Sequence, residues 1–432
     1  MKPTVKHLLQ CLLVLCLCVI LGTVSVIAAY ALPTEKMTEH VLESLATFEN
    51  EETYPLVYDG YYGSMLDNYS DGLMLNIAIG GTEFHTVFAA MSNLYASYYD
   101  CVNPMYALIK SLSGNRDDWL VWEYYCRYWN GYVVWLKPLL LFLTYPQIRL
   151  LNMALELSLA GLILWQMTKK KLAGYIPAVL LCWYAMCPVA VALCMEYSMS
   201  AYVALLSSLA VLLLSGKHGQ RSRVWPYVFM LTGVCESFFN FLVNPVLGIV
   251  CGLGMWCLVF TDGTLWSRVK QLLSLGVHWV FGYLGMWASK WVVSSVLTKR
   301  NNISESIEKI FYHTAQNADG EEITRFQGLQ RTAENLFSNP ILGILCVALV
   351  LVTAVMLLRS PKTGLGETCV RAVPQLLLGL VPIAWTIVVA THSYQHFWFS
   401  YRTLCGSVLT FACFLLSIAW GQWQKRPVPQ KL

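Results

Sequence analysis

Long apolar stretches alternate with short polar junctions along most of this 432-residue chain. A helix of about 20 apolar residues is long enough to cross the hydrocarbon core of a bilayer. Stretches near this length predict ten membrane spans, at 8–31, 148–167, 173–195, 198–215, 224–241, 243–260, 272–297, 340–358, 373–391 and 402–420. The pattern therefore predicts an all-α polytopic membrane protein with about ten transmembrane helices.

Two longer segments interrupt this series of spans. The first long segment (33–131) follows the first span, and the second long segment (298–339) follows the seventh. Aromatic and small residues recur at irregular helical spacing from Thr82 to Ile109 and from Trp119 to Leu143, which predicts helices along the membrane interface. Neither segment has the composition of a linker, so we expect one membrane domain over residues 1–432.

The composition agrees with a membrane protein and the charges orient it. Only 12% of residues are charged, whereas soluble domains carry about 25%. Basic residues collect at every second junction, namely at both termini, Lys169–Lys171, 217–223, 268–270 and 359–371. The positive-inside rule then places both termini in the cytoplasm and both long segments outside.

The first span exceeds the usual length of a signal-peptide core, which favours an uncleaved anchor.

Tyrosine, tryptophan and cysteine residues carry weaker signals. Aromatic residues are abundant in the first long segment, where they favour the membrane interface; the alternative is that their rings line a sugar site. Most of the fifteen cysteines lie in predicted spans and behave there as small hydrophobic residues. Cys101 and Cys126 share the first long segment, so they can either form one disulfide or stay free.

Two aspartates in the first long segment are the first candidates for chemistry. Asp67 and Asp71 flank the stretch Asn68-Tyr69-Ser70. On a helix, residues four apart share one face, where two carboxylates can share a metal ion or a proton. The alternative is helix capping, in which Asp71 begins a helix near Gly72.

Two charged residues inside predicted spans are the second candidates. Glu236 lies near the outer end of the fifth span and Lys290 in the outer half of the seventh. An unpaired charge at the bilayer centre costs at least ~3 kcal/mol, so each needs a partner, a cavity or water. We expect both to line one outward-facing cavity; the alternative is a structural ion pair or a Lys290 side chain that reaches the surface. Glu196, in the turn between the third and fourth spans, lies on the same predicted side.

The turn before the last span is the third candidate. His392 and His396 are four residues apart, and Arg402 follows six residues later. Guanidinium and imidazole groups together suit a phosphate or pyrophosphate ligand. The histidine spacing also suits metal ligands, but no third ligand is evident nearby. An ordinary polar turn is the alternative.

All three candidates lie on the predicted outer side, and this layout resembles the GT-C superfamily. Its members are multi-pass glycosyltransferases that use polyprenyl-phosphate-linked sugars. The resemblance implies that Asp67 or Asp71 is the catalytic base or a ligand of a divalent metal ion. Asp67 lies about 35 residues after the first span, farther than the acidic motif of that superfamily usually does. The Leu66–Asp71 stretch also resembles one in bacterial envelope proteins.

The resemblance further implies a substrate-binding role for Glu236, Lys290, His392, His396 and Arg402. It implies membrane lipids and a polyprenyl-phosphate sugar donor as partners in a bacterial plasma membrane, with no nucleic acid. Nucleotide-binding and hydrolase motifs such as GxxxxGK[ST], GxSxG and HExxH are absent from the sequence. Two other functions remain open: a transporter or flippase with Glu236 and Lys290 on its path, and a noncatalytic scaffold of an envelope-assembly complex.

Overall fold

The computed structural model of the protein describes residues 3–113, 120–318 and 320–425. Trp119 and the terminal basic residues Lys2, Arg426 and Lys431 lie outside these ranges. The described residues are mostly helical, and strands are limited to two small antiparallel pairs. An all-α membrane-type fold is therefore confirmed at this level.

The first half of the chain holds the elements α1 (Pro3–Tyr30), α2 (Glu35–Glu43), α3 (Leu45–Glu51), α4 (Asn68–Ile79), α5 (Thr86–Ser92), β1 (Tyr95–Tyr98), α6 (Pro104–Leu112), β2 (Leu120–Glu123), α7 (Val133–Leu140), α8 (Tyr145–Lys169), α9 (Ile176–Ala185), α10 (Pro188–Leu193) and α11 (Met195–Leu214). Single 3₁₀ turns lie at Tyr62–Ser64 and Ala173–Tyr175.

The second half holds α12 (Val224–Phe239), α13 (Leu247–Val259), α14 (Leu265–Thr298), α15 (Asn302–Thr314), β3 (Asn317–Ala318), β4 (Glu321–Glu322), α16 (Arg325–Phe337), α17 (Pro340–Leu358), α18 (Leu365–Val388), α19 (Ala390–Gln395), α20 (Phe397–Ser400) and α21 (Arg402–Trp423).

Six helical segments are long and apolar enough to cross a membrane: Val5–Tyr30, Tyr145–Lys169, Met195–Leu214, Pro340–Leu358, Leu365–Val388 and Phe397–Trp423. The other four predicted spans are helical but depart from a simple span. The 173–195 span is broken into α9 and α10 at Pro188, because proline cannot continue a helix and restricts the residue before it. The helices α12 and α13 are shorter, and α14 has 34 residues, so at 1.5 Å per residue it exceeds a bilayer core of about 30 Å.

The first long segment contains strand as well as helix. The prediction of helices over 82–109 is correct for α5 and α6 but wrong for β1, which pairs antiparallel with β2. Asn93 adopts a left-handed conformation that ends α5. Beyond it the residues of β1 alternate between the two faces of the small sheet. Cys101 and Cys126 are both free thiols.

The helices pack around α11, α13 and α21. The helix α11 contacts α8, α12 and α13, and α21 contacts α9, α13, α17 and α18. Glycines bring α12 and α14 together: a Cβ added at Gly233 would lie 2.3 Å from the Trp279 carbonyl oxygen, and one at Gly282 would lie 2.1 Å from that of Met230. Small residues of this kind let helix backbones approach closely where lipid provides no hydrophobic drive.

A labelling experiment tests the orientation. The first long segment meets the N-terminal end of α11 through Asp71, whereas the 215–223 loop follows its C-terminal end. Val102 is exposed. In a Cys101→Ser background, a cysteine introduced by Val102→Cys should therefore react with an impermeant maleimide in intact cells. Lys217→Cys should react only after permeabilisation. The reverse pattern would invert the proposed orientation.

Candidate functional site

The helix α4 places the two candidate aspartates one turn apart. Asp67 is its N-cap, and its Oδ1 accepts a 2.9 Å hydrogen bond from the Ser70 backbone N–H. Asp71 therefore lies in the first turn, and both carboxyl groups are buried. The expectation of a helix cap in this stretch is correct, but the capping residue of α4 is Asp67 rather than Asp71.

Asp71 instead caps a distant helix. Its carboxylate accepts hydrogen bonds from the backbone N–H of Met195 at 2.9 Å and of Glu196 at 3.1 Å, the first two residues of α11. It also accepts one from the Tyr145 hydroxyl at 2.5 Å. Burial raises the pKa of Asp71, while the neighbouring Arg149 and these hydrogen bonds oppose the rise. A carboxylate is well placed there because a helix N-terminus offers unpaired N–H groups and a positive dipole.

Glu196 completes a carboxylate cluster with Asp67 and Asp71. Its side chain is buried at the start of α11, and its Oε2 has no hydrogen-bond partner among the described residues. Burial raises the pKa of Asp67 to about 6, and the charge of Asp71 adds to the rise. Like charges in one buried place favour retention of a proton by one of them.

A divalent metal ion at this cluster stays a prediction. Among the described residues, the three carboxyl groups do not form a group of ligand atoms close enough to hold one ion. The phenols of three tyrosines interact electrostatically with Asp67: Tyr54, Tyr69 and Tyr125.

The predicted histidine pair gains a third member. The ring centroid of His392 lies 5.0 Å from that of His396 and 5.1 Å from that of His313, in α15 of the second long segment. Sequence spacing could not reveal His313, because it comes from a different segment. We call these three residues the histidine cluster.

Two members of the histidine cluster, His313 and His392, favour the uncharged form. Burial and the neighbouring histidines lower the pKa of His392 well below its ordinary value and that of His313 to about 4. Both ring nitrogens of His392 lack hydrogen-bond partners of standard geometry among the described residues, although the Leu242 backbone lies nearby. Neutral imidazoles can donate hydrogen bonds to a ligand but contribute no net positive charge.

Trp398 joins the two clusters. Its ring centroid lies 5.4 Å from that of His396 and 5.4 Å from that of Tyr54. Its indole N–H lies close enough to Asp67 to lower the pKa of that carboxyl, although it forms no hydrogen bond of standard geometry. The structure thus brings together two candidate regions that lie far apart in the sequence.

Arg402 belongs to the same end of the protein, but its guanidinium is occupied. It donates hydrogen bonds to the carbonyl oxygens of Met186 at 2.9 Å, Gly63 at 2.9 Å and Trp398 at 3.3 Å. The guanidinium also stacks 4.1 Å from the Tyr197 ring centroid. In this conformation Arg402 fixes backbone segments around the carboxylate cluster, and a phosphate would have to displace these carbonyls.

Lys290 and Glu236 are buried and have separate partners. Lys290 Nζ donates a 2.9 Å hydrogen bond to the Met91 carbonyl at the end of α5. Glu236 Oε1 accepts one of 2.6 Å from Asn240, and its Oε2 has no partner among the described residues. No ion pair joins the two residues in the described part of the chain. A buried charge in an apolar environment needs a polar partner. For Lys290 that partner is a backbone carbonyl, and for Glu236 it is the Asn240 side chain.

Sequence reasoning overlooked Glu156 and Arg127. Glu156 lies inside the predicted second span, is buried, and has an Oε1 without a partner among the described residues. It lines a cavity of about 370 Å³ between α8, α9 and α10. The criterion that selected Glu236, a charge within a predicted span, would also have found it.

Arg127 forms a 3.5 Å ion pair with Glu305, stacks 4.1 Å from the Tyr125 ring and interacts electrostatically with His313.

A larger apolar cavity is lined in part by α11, the helix that carries Glu196. It has a volume of about 750 Å³ and is lined by α7, α8, α11 and α12, including Met199 one turn beyond Glu196. Asn152, Tyr202, Ser207 and Thr232 contribute the few polar groups of a lining that is otherwise apolar. Such a cavity suits a hydrocarbon chain.

No protein-family model, curated protein or solved structure matches this chain. The functional assignment therefore depends on the chemistry and geometry of these clusters.

The capping role of Asp71 predicts a loss of stability on substitution. Asp71→Ala should lower the free energy of unfolding by about 2–4 kcal/mol, because it leaves the Tyr145 hydroxyl and two backbone N–H groups buried without an acceptor. Denaturant unfolding in detergent measures this change. Asp59→Ala, at an exposed carboxylate, should shift it by at most about 0.5 kcal/mol. Equal effects of the two substitutions would contradict the capping role.

The raised pKa of Asp67 predicts a pH dependence of stability. The folded protein binds this proton more tightly than the unfolded chain does, since the pKa rises from 3.8 to about 6. The free energy of unfolding should therefore fall by on the order of 3 kcal/mol as the pH rises from about 4 to above 6. Melting temperatures measured across this range should show a smaller fall for Asp67→Asn. Parallel curves for the two proteins would show that Asp67 is not the responsible group.

Proposed function

We propose that the protein is a membrane glycosyltransferase that transfers a sugar from a polyprenyl-phosphate-linked donor to an acceptor hydroxyl. The observation that carries the proposal is the buried carboxylate cluster of Asp67, Asp71 and Glu196, which Trp398 connects to the histidine cluster. The apolar cavity lined in part by α11 suits an isoprenoid chain, and the carboxylate and histidine clusters suit a sugar phosphate. The layout resemblance to the GT-C superfamily supports the same reaction.

Asp67 is the best candidate for the base. A general base is most effective when its pKa lies near the working pH, and the Asp67 pKa of about 6 meets this condition. Asp71 is less suitable, because its carboxylate already accepts hydrogen bonds from Tyr145, Met195 and Glu196. Asp67 would take the proton of the acceptor hydroxyl as that oxygen attacks the anomeric carbon and the lipid phosphate departs.

The departing phosphate needs positive charge and hydrogen-bond donors. His392 and His396 can donate hydrogen bonds, while Arg127 can supply the positive charge that a neutral His392 lacks. Arg402 and Lys290 then hold the surrounding backbone through the carbonyls that they contact. This division of roles replaces the simpler expectation that every cation at this end faces phosphate.

A transporter or flippase is the second candidate, and Glu156 favours it. A buried carboxylate that lines an intramembrane cavity suits a proton or solute pathway. In that function the essential acidic residues extend along the helices, whereas in the transferase they gather at one end.

The two functions can be distinguished in proteoliposomes that contain a radiolabelled polyprenyl-phosphate sugar and a lipid or glycan acceptor. Asp67→Asn should reduce sugar transfer by a factor on the order of 100 or more, because the base is lost. Asp59→Asn, at an exposed carboxylate, should leave transfer unchanged.

Glu156→Gln provides the contrasting result. It should retain sugar transfer if the protein is a transferase. If Glu156→Gln abolishes function in cells while Asp67→Asn does not, the transporter becomes the better assignment and the catalytic role of Asp67 is wrong.

A further inference from the structure

Two histidines and a cysteine meet near the N-terminal end of α1. His7 and Cys11 lie one turn apart on this helix, and His278 comes from α14, which packs against it. The two Nε2 atoms of His7 and His278 are 2.9 Å apart, and Cys11 Sγ lies 3.7 Å from His7 Nε2. All three potential ligand atoms lie within 4.8 Å of one another. We propose that His7, Cys11 and His278 bind one transition-metal ion of the zinc or copper(I) type.

The distances fit such an ion with a small adjustment. In a tetrahedral zinc site with Zn–N of about 2.05 Å and Zn–S of about 2.3 Å, two nitrogens lie about 3.3 Å apart, and a nitrogen and a sulfur lie about 3.6 Å apart. The 3.7 Å distance from Cys11 Sγ to His7 Nε2 already agrees with the tetrahedral value, and the ligand atoms of Cys11 and His278 lie within 4.8 Å. The two imidazoles would need to separate by about 0.4 Å to admit the metal.

Hydrogen bonds behind the rings orient both histidines toward the same point. The Nδ1–H of His278 donates a 2.6 Å hydrogen bond to the Ser274 carbonyl, which leaves its Nε2 as the free lone pair. The Tyr227 hydroxyl lies 3.3 Å from Nδ1 of His7. Metal-bound histidines usually have a partner of this kind on the second ring nitrogen, because it fixes the tautomer and the ring orientation.

A hydrogen bond between the two imidazoles is the competing explanation. In it, His7 Nε2–H donates to His278 Nε2 and no metal takes part. In that arrangement the buried Cys11 thiol makes only a weak contact of 3.7 Å with His7 Nε2, whereas a metal ion would use it as a ligand. A donor set of two imidazoles and one thiolate favours borderline and soft metal ions over calcium or magnesium.

This site is separate from the carboxylate cluster. The helix α1 extends from His7 to Tyr30, whose hydroxyl contacts the Ile77 carbonyl in α4. Twenty-three residues of helix span about 35 Å, so the two sites lie at opposite ends of the protein. Metal binding there would link α1 to α14 and would not need the proposed sugar chemistry.

Metal content of the purified full-length protein tests the proposal. The protein should carry a tag without histidine, be loaded with Zn²⁺ in detergent and be dialysed. We expect about one tightly held Zn²⁺ more per chain in the wild type than in Cys11→Ser or His278→Ala. Cys16→Ser, at an exposed cysteine on the same helix, should bind as the wild type does.

Cobalt provides a second measurement that does not depend on stability. Co²⁺ bound to the wild type should show a thiolate-to-metal charge-transfer band that Cys11→Ser lacks and Cys16→Ser retains. Thermal unfolding without metal checks that all variants are folded, and Zn²⁺ should raise the melting temperature only where the site is intact. Equal Zn²⁺ content in the wild type, Cys11→Ser and His278→Ala, with no cobalt–thiolate band, would overturn the proposal and leave the histidine hydrogen bond.

Discussion

The buried contact between the Asp71 carboxylate and the N-terminus of α11 organises one end of this protein. It joins α4 to the first turn of α11 and to Tyr145 at the start of α8. Burial of a carboxylate is costly, but charge-assisted hydrogen bonds from backbone N–H groups offset much of that cost. The Arg149 guanidinium lies beside this contact and donates to Glu51 at 2.7 Å, which anchors α3 at the same place.

The positions of the other carboxylates follow from this contact. Asp67 lies one turn before Asp71 because it caps the helix that contains Asp71. Glu196 lies close to both because its backbone N–H donates a hydrogen bond to Asp71. One capping interaction therefore brings three buried acids together. Their environments differ, since Asp71 is surrounded by donors while Glu196 keeps an unpaired oxygen among the described residues. Such differences between neighbouring acids are how proteins divide structural and proton-transfer roles.

Sequence patterns predicted the apolar, helical character of the chain, whereas the number of ten spans and the roles of the charged residues stay predictions. Long apolar stretches identify helices because membrane spans must bury their backbone polar groups internally. The residues Asp67, Asp71, His392 and His396 were recognisable because polar groups beside apolar stretches are unusual. Their partners were not recognisable: His313 and the backbone of α11 reach these residues only through tertiary packing. The strands β1 and β2 were missed because four-residue strands carry too little periodicity.

The position of α1 shows why polar contacts matter so much in this fold. Much of its surface is apolar and exposed, as for Leu8, Leu13 and Leu21. In lipid such residues give no preference for one helix neighbour over another. The helix is located partly by close packing, as where Gly22 meets Phe238 and Met286, and partly by the polar contacts of the Tyr30 hydroxyl and the His7 group at its two ends. Because α4 carries both the Ile77 carbonyl that accepts from Tyr30 and Asp71, α1 connects the His7 group at its distant end to the helix that supplies Asp71.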